Sequence, residues 1–511
     1  MDALLSYATH FSKQDAYALV QMTIIIYLIY YLTKTLYEGF FGPLSKLPGP
    51  FITRFIELPK LIYDNPSGTC YLYIKQLHDE YGPVIRTSPS NISVSKKEWI
   101  KQVLCTDDLE KGPFYNIMQR DGVETLFSTR DVEFHKQRKR IMSPAFSNKY
   151  ILSLEPFMAE ATKVLVNKLN TDIAKAEKNG DMAVVDVWKA FQYLGLDIIG
   201  ETAFGQSFNM VKNNSHAVPD AIEQLMKFAG LAVQYRSLGV FLSSPFVNKV
   251  LRFLKLGDDP KLREFLQSVI ANRVAGKARD DILQILINSQ NAENVEDQLN
   301  SDEIINEVML FLVAGSETTA NTTGFVIIEL LKHPHVFEKL RAEIDEIPLP
   351  EGEIFAHDQL KDLPYLNAVI SETMRYDPIL GTGLERITTT DTILGDSLPV
   401  PKGIVITSNI YHAHHNPEYW PNADKFLPER WLDGAYPEPD QDAYYPFSTG
   451  SRICIGKQFA QQEIRLSLAT MVKFYDIFPI PEEMETSKDR RFILTLALAA
   501  RSFKVMIKRR S

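Results

Sequence analysis

The sequence predicts a mainly α-helical protein with a minor β-sheet, set behind one N-terminal transmembrane helix. Three observations predict it. Most segments place apolar residues three to four apart, as do Ala460, Ile464, Leu468, Met471, Val472 and Tyr475. Strand signals are few and short, confined to residues 84–94, 387–394 and 400–408, with Pro401-Lys402-Gly403 turning between the last two. Residues 16–33 form an 18-residue run without a charge. The composition agrees with a globular chain: 511 residues, 45% hydrophobic and 23% charged, with 25 Gly and 28 Pro, exclude collagen-like repeats and wholesale disorder. Lys and Arg (55) against Asp and Glu (64) leave −9, which argues against nucleic acid as a partner.

Taken in order, the apolar run comes first. It holds Ile24, Ile25, Ile26, Leu28, Ile29 and Leu32, and as a helix it measures about 27 Å against a hydrocarbon core of about 30 Å. Lys34, Lys46, Arg54 and Lys60 follow it and only Lys13 precedes it, so the remainder is expected in the cytosol with the sequons at Asn91, Asn213 and Asn321 unglycosylated. Gly42-Pro43-Leu44-Ser45-Lys46-Leu47-Pro48-Gly49-Pro50 reads as a stiff, bent connector. The expected division is an anchor over 1–37, a proline-rich hinge over 38–60 and one large domain over 61–511, with a final hairpin near 492–504. The three cysteines, Cys70, Cys105 and Cys454, are too few and too scattered for a disulfide framework and fit a reducing compartment.

Four groupings carry chemistry. His135-Lys136-Gln137-Arg138-Lys139-Arg140 is a basic helical stretch, which by itself reads as a solvated face. Residues 304–323 are apolar on every face around Val308 to Ala314 and then bring Gly315-Ser316-Glu317-Thr318-Thr319 into a core helix. Polar groups are costly there, and Ser and Thr can bond back to the preceding turn, so a local kink at Gly315 is expected. Glu372 and Arg375 stand one turn apart on a helix between Pro364 and Pro378, a spacing that alone is only an ordinary i,i+3 pair. The last is Phe447-Ser448-Thr449-Gly450-Ser451-Arg452-Ile453-Cys454-Ile455-Gly456, running into a helix that begins near Lys457. Free amides and partial positive charge at that helix start favour a thiolate. Gly450 and Gly456 allow a tight turn against a flat group, Arg452 offers a cation and Phe447 shields the sulfur. His412, His414 and His415 are expected to be loop surface, not a metal site.

The last motif resembles the haem-binding loop of the cytochrome P-450 superfamily, and with Phe426-Leu427-Pro428-Glu429-Arg430-Trp431 the resemblance runs from Pro43 to the C-terminus. It is similar in style to fungal microsomal members. The resemblance implies the P-450 fold, haem b, and Cys454 as axial ligand of the haem iron. It implies Thr318 as the oxygen-binding threonine, Glu317 as acid of a proton relay, and a structural triad of Glu372, Arg375 and Arg430. His135, Lys139, Arg386 and Arg452 become contacts to the haem propionates; Lys139 departs from the family's arginine, and Arg138 or Arg140 are alternatives. Residues 114–118, 308–314, 379–384 and 495–499 become the lining of a pocket for a lipophilic substrate: a sterol or steroid, a fatty acid or a hydrophobic xenobiotic.

No Walker loop is present and Gly381-Thr382-Gly383-Leu384-Glu385-Arg386 lacks the third Rossmann glycine, so electrons must come from another protein. The resemblance names NADPH–cytochrome P-450 reductase, with cytochrome b5 as a second donor; the basic residues Lys457, Arg465, Lys473 and Arg138 to Arg140 are expected to form the docking face for an acidic reductase. It places the chain at the endoplasmic reticulum membrane, as a monooxygenase that hydroxylates its substrate with dioxygen. The rival readings are a haem-thiolate isomerase or dehydratase, which Thr318 argues against, and a haem sensor without turnover.

Overall fold

The computed structural model describes residues 13–57, 67–119, 123–213, 260–276, 278–279, 281–381, 383–395, 397–434, 438–492 and 494–510. Helix α1 (Lys13–Phe41) contains the predicted apolar run and continues past residue 37 to the Gly42-Pro43 stop. Its Tyr17–Phe41 portion is long and apolar enough to cross a membrane, and its most apolar 18-residue stretch buries nothing against the rest of the chain. At its end, Gly39 gives the Phe55 ring room against the helix, since a Cβ there would lie 2.3 Å from that ring. The connector is therefore folded back onto the helix end.

The strands assemble as predicted in amount but not in every boundary. A five-stranded sheet has the order β1 (Val84–Ser88), β2 (Asn91–Val94), β6 (Val405–Ser408), β5 (Leu384–Ile387), β3 (Glu110–Lys111). The β2 and β6 pair is parallel and the others antiparallel. The C-terminal region differs from the expected hairpin. Strands β8 (Arg490–Phe492) and β9 (Leu496–Leu498) pair with each other, whereas β10 (Lys504–Arg509) joins β4 (Ala183–Asp186) and β7 (Tyr475–Pro479) in a separate sheet.

Helices make the body. The central one, α6 (Ser301–Lys332), begins at a capping box in which Asn300 Oδ1 accepts from the Glu303 amide at 3.0 Å and Glu303 Oε2 from the Asn300 amide at 2.8 Å. It is helical without a break, longer than the predicted segment, and no interruption occurs at Gly315. What Gly315 supplies is close packing: a Cβ there would stand 3.1 Å from Ile199 Cδ1 of α5 (Val187–Phe204). Farther along, Trp188 meets Phe325 edge-on at 5.2 Å and covers Gly324. Helices α4 (Glu155–Glu177), α7 (Pro364–Tyr376) and α9 (Lys457–Phe474) contribute to the same apolar core.

Candidate functional site

Cys454 sits two residues before the N-cap of α9, and the loop in front of it is closed by backbone bonds. The Cys454 amide donates to the Phe447 carbonyl at 2.9 Å and the Ile453 amide to the Gly450 carbonyl at 3.2 Å. Gly450 has φ +75°, and a Cβ there would lie 2.0 Å from the Leu104 carbonyl oxygen, so both conformation and contact require glycine. Cys454, Phe447 and Gly456 all line a cavity of about 300 Å³. The thiol is accessible from that cavity but remote from bulk solvent. Burial pushes it up, against a hydrogen bond from the Gly456 amide and the charge of Lys457, whose Nζ lies 5.9 Å from the Phe447 ring centre.

A buried polar network fixes this loop from below. Glu372 accepts five hydrogen bonds: from Arg375 Nε (2.9 Å) and Nη2 (2.8 Å), Arg430 Nε (3.1 Å), Trp431 Nε1 (3.0 Å) and the Leu427 amide (2.8 Å). Arg375 Nη1 then donates to the carbonyls of His414 (2.8 Å) and Ala423 (3.0 Å). His414 Nε2 accepts the Tyr445 amide at 2.9 Å, two residues before Phe447. The histidines are thus not loop surface. His412 and His414 are buried on helix α8 (Ile410–His415), and burial together with the Arg375 charge pushes the His414 imidazole down to about 3. Flanking Asn416, Pro417 and Glu418 gave the wrong environment for a residue whose partners lie 31 and 39 positions away.

One wall of the cavity is cationic. Lys111, His135, Lys139, Arg386 and Arg452 line it, and among the described lining residues there is no carboxylate. Lys111 was not foreseen; β3 pairs it with Arg386 of β5 across 275 residues, a juxtaposition that only the sheet register reveals. Its ammonium bonds to the Phe127 carbonyl and faces the Tyr115 ring at 4.4 Å. Burial and then the charges of Arg452 and Arg386 hold it well below the usual lysine range. Burial followed by Arg452, Lys111, Lys139 and Arg386 pushes His135 down to about 3. Lys139 Nζ donates to the Ser451 carbonyl at 2.8 Å. Its neighbours point elsewhere: on α3 (Val132–Met142) Arg138 is buried and paired with Glu303, and Arg140 pairs with Asp297. Neither reaches the cavity, and Arg138 is also lost from the expected docking face.

The opposite wall belongs to α6, where Leu310, Phe311, Ala314, Gly315, Thr318, Thr319 and Thr322 form one stripe facing the cavity. Thr318 Oγ1 donates to the Ala314 carbonyl at 2.9 Å. Glu317, one residue and about 100° away, is not on that stripe; it accepts from Thr495 Oγ1 at 3.1 Å and pairs with Arg501 on the far flank of the helix. Residues 495–499 therefore stand behind α6, not in the cavity, whereas Tyr115, Ile379, Leu380 and Leu384 do line it.

The site as built matches a family. The model of the cytochrome P450 family fits residues 45–507. The chain belongs to the cytochrome P450 family. The P450 match begins inside the proline-rich connector. The chain is similar to the cytochrome P450 monooxygenase acrD of Aspergillus aculeatus, at 34% identity over 92% of this chain and 94% of the relative. It is also similar to LUC2 of Fusarium sp (32%, 93% and 91%) and FUS8 of Gibberella fujikuroi (32%, 93% and 90%), both cytochrome P450 monooxygenases. As an enzyme this chain is a P450 monooxygenase.

The P450 family implies haem, and the residues present fit it. Five basic side chains without a carboxylate among them, and a buried Arg386 Nε with no partner, suit a group carrying two carboxylates. A cysteine preceding a helix suits iron.

Proposed function

We propose that the chain is a haem-thiolate monooxygenase that inserts one oxygen atom of dioxygen into a lipophilic substrate, with NADPH electrons supplied through a reductase. The observation that carries this is the make-up of the cavity lining: a cysteine and five basic groups share one cavity with the apolar side chains of Leu126, Phe146, Phe311, Ile379 and Leu380. Haem, when bound, supplies the one-electron and dioxygen chemistry. Cys454 would hold its iron through Sγ, and Lys111, His135, Lys139, Arg386 and Arg452 its carboxylates.

The apolar chamber excludes water and takes substrate by area, not charge, which favours a sterol or steroid, a fatty acid or a hydrophobic xenobiotic. Thr318 holds a proton at Oγ1 on the chamber wall. Glu317, tied to part-exposed Arg501, is the acid that refills it after exchanging partners. Helix α1 anchors the domain at the endoplasmic reticulum, facing the cytosol. Lys457, Arg465 and Lys473 form the face for an acidic reductase or cytochrome b5; of these Lys473 already pairs with Asp345 and Arg465 with Asn367.

The test has two arms. The reduced protein with carbon monoxide is expected to show the strongly red-shifted Soret band of a thiolate ligand, absent in Cys454→Ala. A lipophilic library is then screened by substrate-binding difference spectra and by turnover with NADPH and reductase. Rearrangement of peroxides with no contribution from reductase refutes the monooxygenase reading in favour of an isomerase.

A further inference from the structure

The stripe that α6 turns toward the cavity begins one turn earlier than the cavity does. Glu307 precedes Leu310 and Phe311 by three and four residues, Ala314 by seven and Thr318 by eleven, so it stands in the same row. It is buried and is not part of the cavity lining. It meets instead the segment that runs from β3 to α3. Its Oε1 accepts the Leu126 amide at 2.8 Å, while Oε2 has no hydrogen-bond partner among the described residues. Beside it lies Arg138 of α3, whose Nε is 3.9 Å from Glu307 Oε1. That guanidinium gives Nη2 to Glu303, and its Nε and Nη1 have no hydrogen-bond partner among the described residues.

The segment that Glu307 meets is a self-closed turn with few outside anchors. Ser128 Oγ accepts the Thr125 amide at 3.0 Å, Thr125 Oγ1 accepts the Ser128 amide at 3.2 Å, and Glu124 Oε2 accepts from Thr129 Oγ1 at 2.7 Å. These bonds give the turn its shape but not its position. At its apex Leu126 and Phe127 both line the cavity. Each is tied to the rest of the fold through its main chain, the Leu126 amide to Glu307 on α6 and the Phe127 carbonyl to Lys111 on β3. Across from them Phe311 is backed by Phe146, with ring centres 5.5 Å apart. Burying a carboxyl on α6 is costly, and what Glu307 returns is a fixed place for the Leu126 main chain.

We propose that Glu307 is a specificity-determining positioning residue: it fixes how closely the turn carrying Leu126 and Phe127 stands to α6, and thereby the bulk of ligand that the cavity admits. It touches no ligand itself and acts through the Leu126 amide, with Arg138 holding the carboxyl in line from the other side. The proposal rests on the haem-thiolate monooxygenase reading for the cavity's role as a ligand site. An acid that merely supported the fold would change stability when removed and leave the choice among ligands as it was.

Glutamine and leucine separate the two roles. Burial pushes the Glu307 carboxyl up to about 8, against the Leu126 amide and the Arg138 charge, so glutamine resembles the neutral acid and keeps an oxygen for the amide. Leucine fills similar space and offers no acceptor. Full-length holoenzyme, Glu307→Gln and Glu307→Leu are titrated with imidazole, 4-phenylimidazole and a biphenyl-substituted imidazole, whose ring nitrogen binds haem iron and gives a spectral endpoint without turnover. Glu307→Leu is expected to shift the affinity ratio toward the bulkiest ligand by roughly fivefold, the equivalent of one neutral hydrogen bond, while Glu307→Gln keeps the wild-type ratio. Hydrogen exchange followed by mass spectrometry should quicken over residues 124–129 in the leucine variant and not in the glutamine variant. Glu307→Met carries the same expectations and stands in if the leucine variant takes up no haem. The proposal is overturned if the ligand ratio of the leucine or methionine variant equals wild type, if glutamine shifts it as far, or if exchange over 124–129 does not change. Reduced wild type without the red-shifted carbon monoxide band refutes the haem-thiolate reading instead, while the exchange comparison still decides whether Glu307 fixes the turn.

Discussion

His414→Leu deletes one hydrogen bond between two systems that are far apart in sequence. The His414 carbonyl keeps its bond from Arg375, but the buried Tyr445 amide loses its acceptor. Leaving that amide unpaired costs about 1–3 kcal/mol, a large share of the roughly 5–15 kcal/mol that holds a domain together. His414→Gln can offer Oε1 near the position of Nε2 and is expected to recover most of the loss. The pH dependence supplies a second check with a definite sign. The folded imidazole is pushed down to about 3, whereas an unfolded one titrates near 6.5. The unfolded chain therefore binds the extra proton between those values, and the stability associated with His414 is full above about pH 6.5 and is lost as pH falls, by about 1.4 kcal/mol per unit. At pH 5 that loss is about 2 kcal/mol, similar to the cost of the orphaned amide. Denaturant unfolding followed by circular dichroism should thus find His414→Leu less stable than wild type at pH 7.5 and nearly equal to it at pH 5. Parallel pH curves, or a leucine variant as stable as wild type at pH 7.5, would refute the placement of His414 as a neutral acceptor.

Three other outcomes follow from the same geometry. Lys111→Met removes a cation whose burial and cationic neighbours disfavour its charge, so the haem-free protein should melt no lower than wild type. Haem should nonetheless leave roughly ten- to a hundredfold faster to an acceptor protein, the equivalent of one charge-assisted bond; a lower melting temperature with unchanged haem release contradicts the role. Thr318→Val keeps the shape of the α6 stripe and removes its cavity-facing hydroxyl, so NADPH use should continue while peroxide replaces product; unchanged coupling takes Thr318 out of proton handling. Gly450→Ala meets both a left-handed backbone and the Leu104 carbonyl, so its holoprotein yield at 25 °C should fall far more than that of Gly456→Ala, whose added Cβ meets nothing within 4 Å; equal yields would mean that the loop can turn another way.

How much of this was legible in the sequence depends on how far apart the partners lie. The cysteine loop could be read because its parts are contiguous and feed directly into α9. Glu372 and Arg375 were visible as a helical pair, but their burial depends on Arg430, Trp431 and Leu427 more than 50 residues on. Lys111 gave no signal, since its meaning comes from the β3 and β5 register. Glu317 and Thr318 are adjacent, and periodicity cannot tell which of them faces a cavity until the rotation of α6 is fixed by Ile199 against Gly315. The run from His135 to Arg140 read as one basic face. In fact α3 buries His135, Arg138 and Met142, an i, i+3, i+7 stripe that was present in the sequence but masked by charge.

The two walls of the cavity are held by different physics. The cysteine side rests on a buried polar network in which each hydrogen bond has a fixed direction, from Glu372 through Arg375 and His414 to Tyr445. Such a network specifies geometry tightly, and losing one member leaves the others unpaired in low dielectric. The α6 side rests on close approach of helices at Gly195, Gly315 and Gly324, where apolar side chains can repack with smaller penalties. Substitutions on the cysteine side should therefore change whether haem is held by thiolate at all. Those on the α6 side should instead change which substrate fits and how protons arrive.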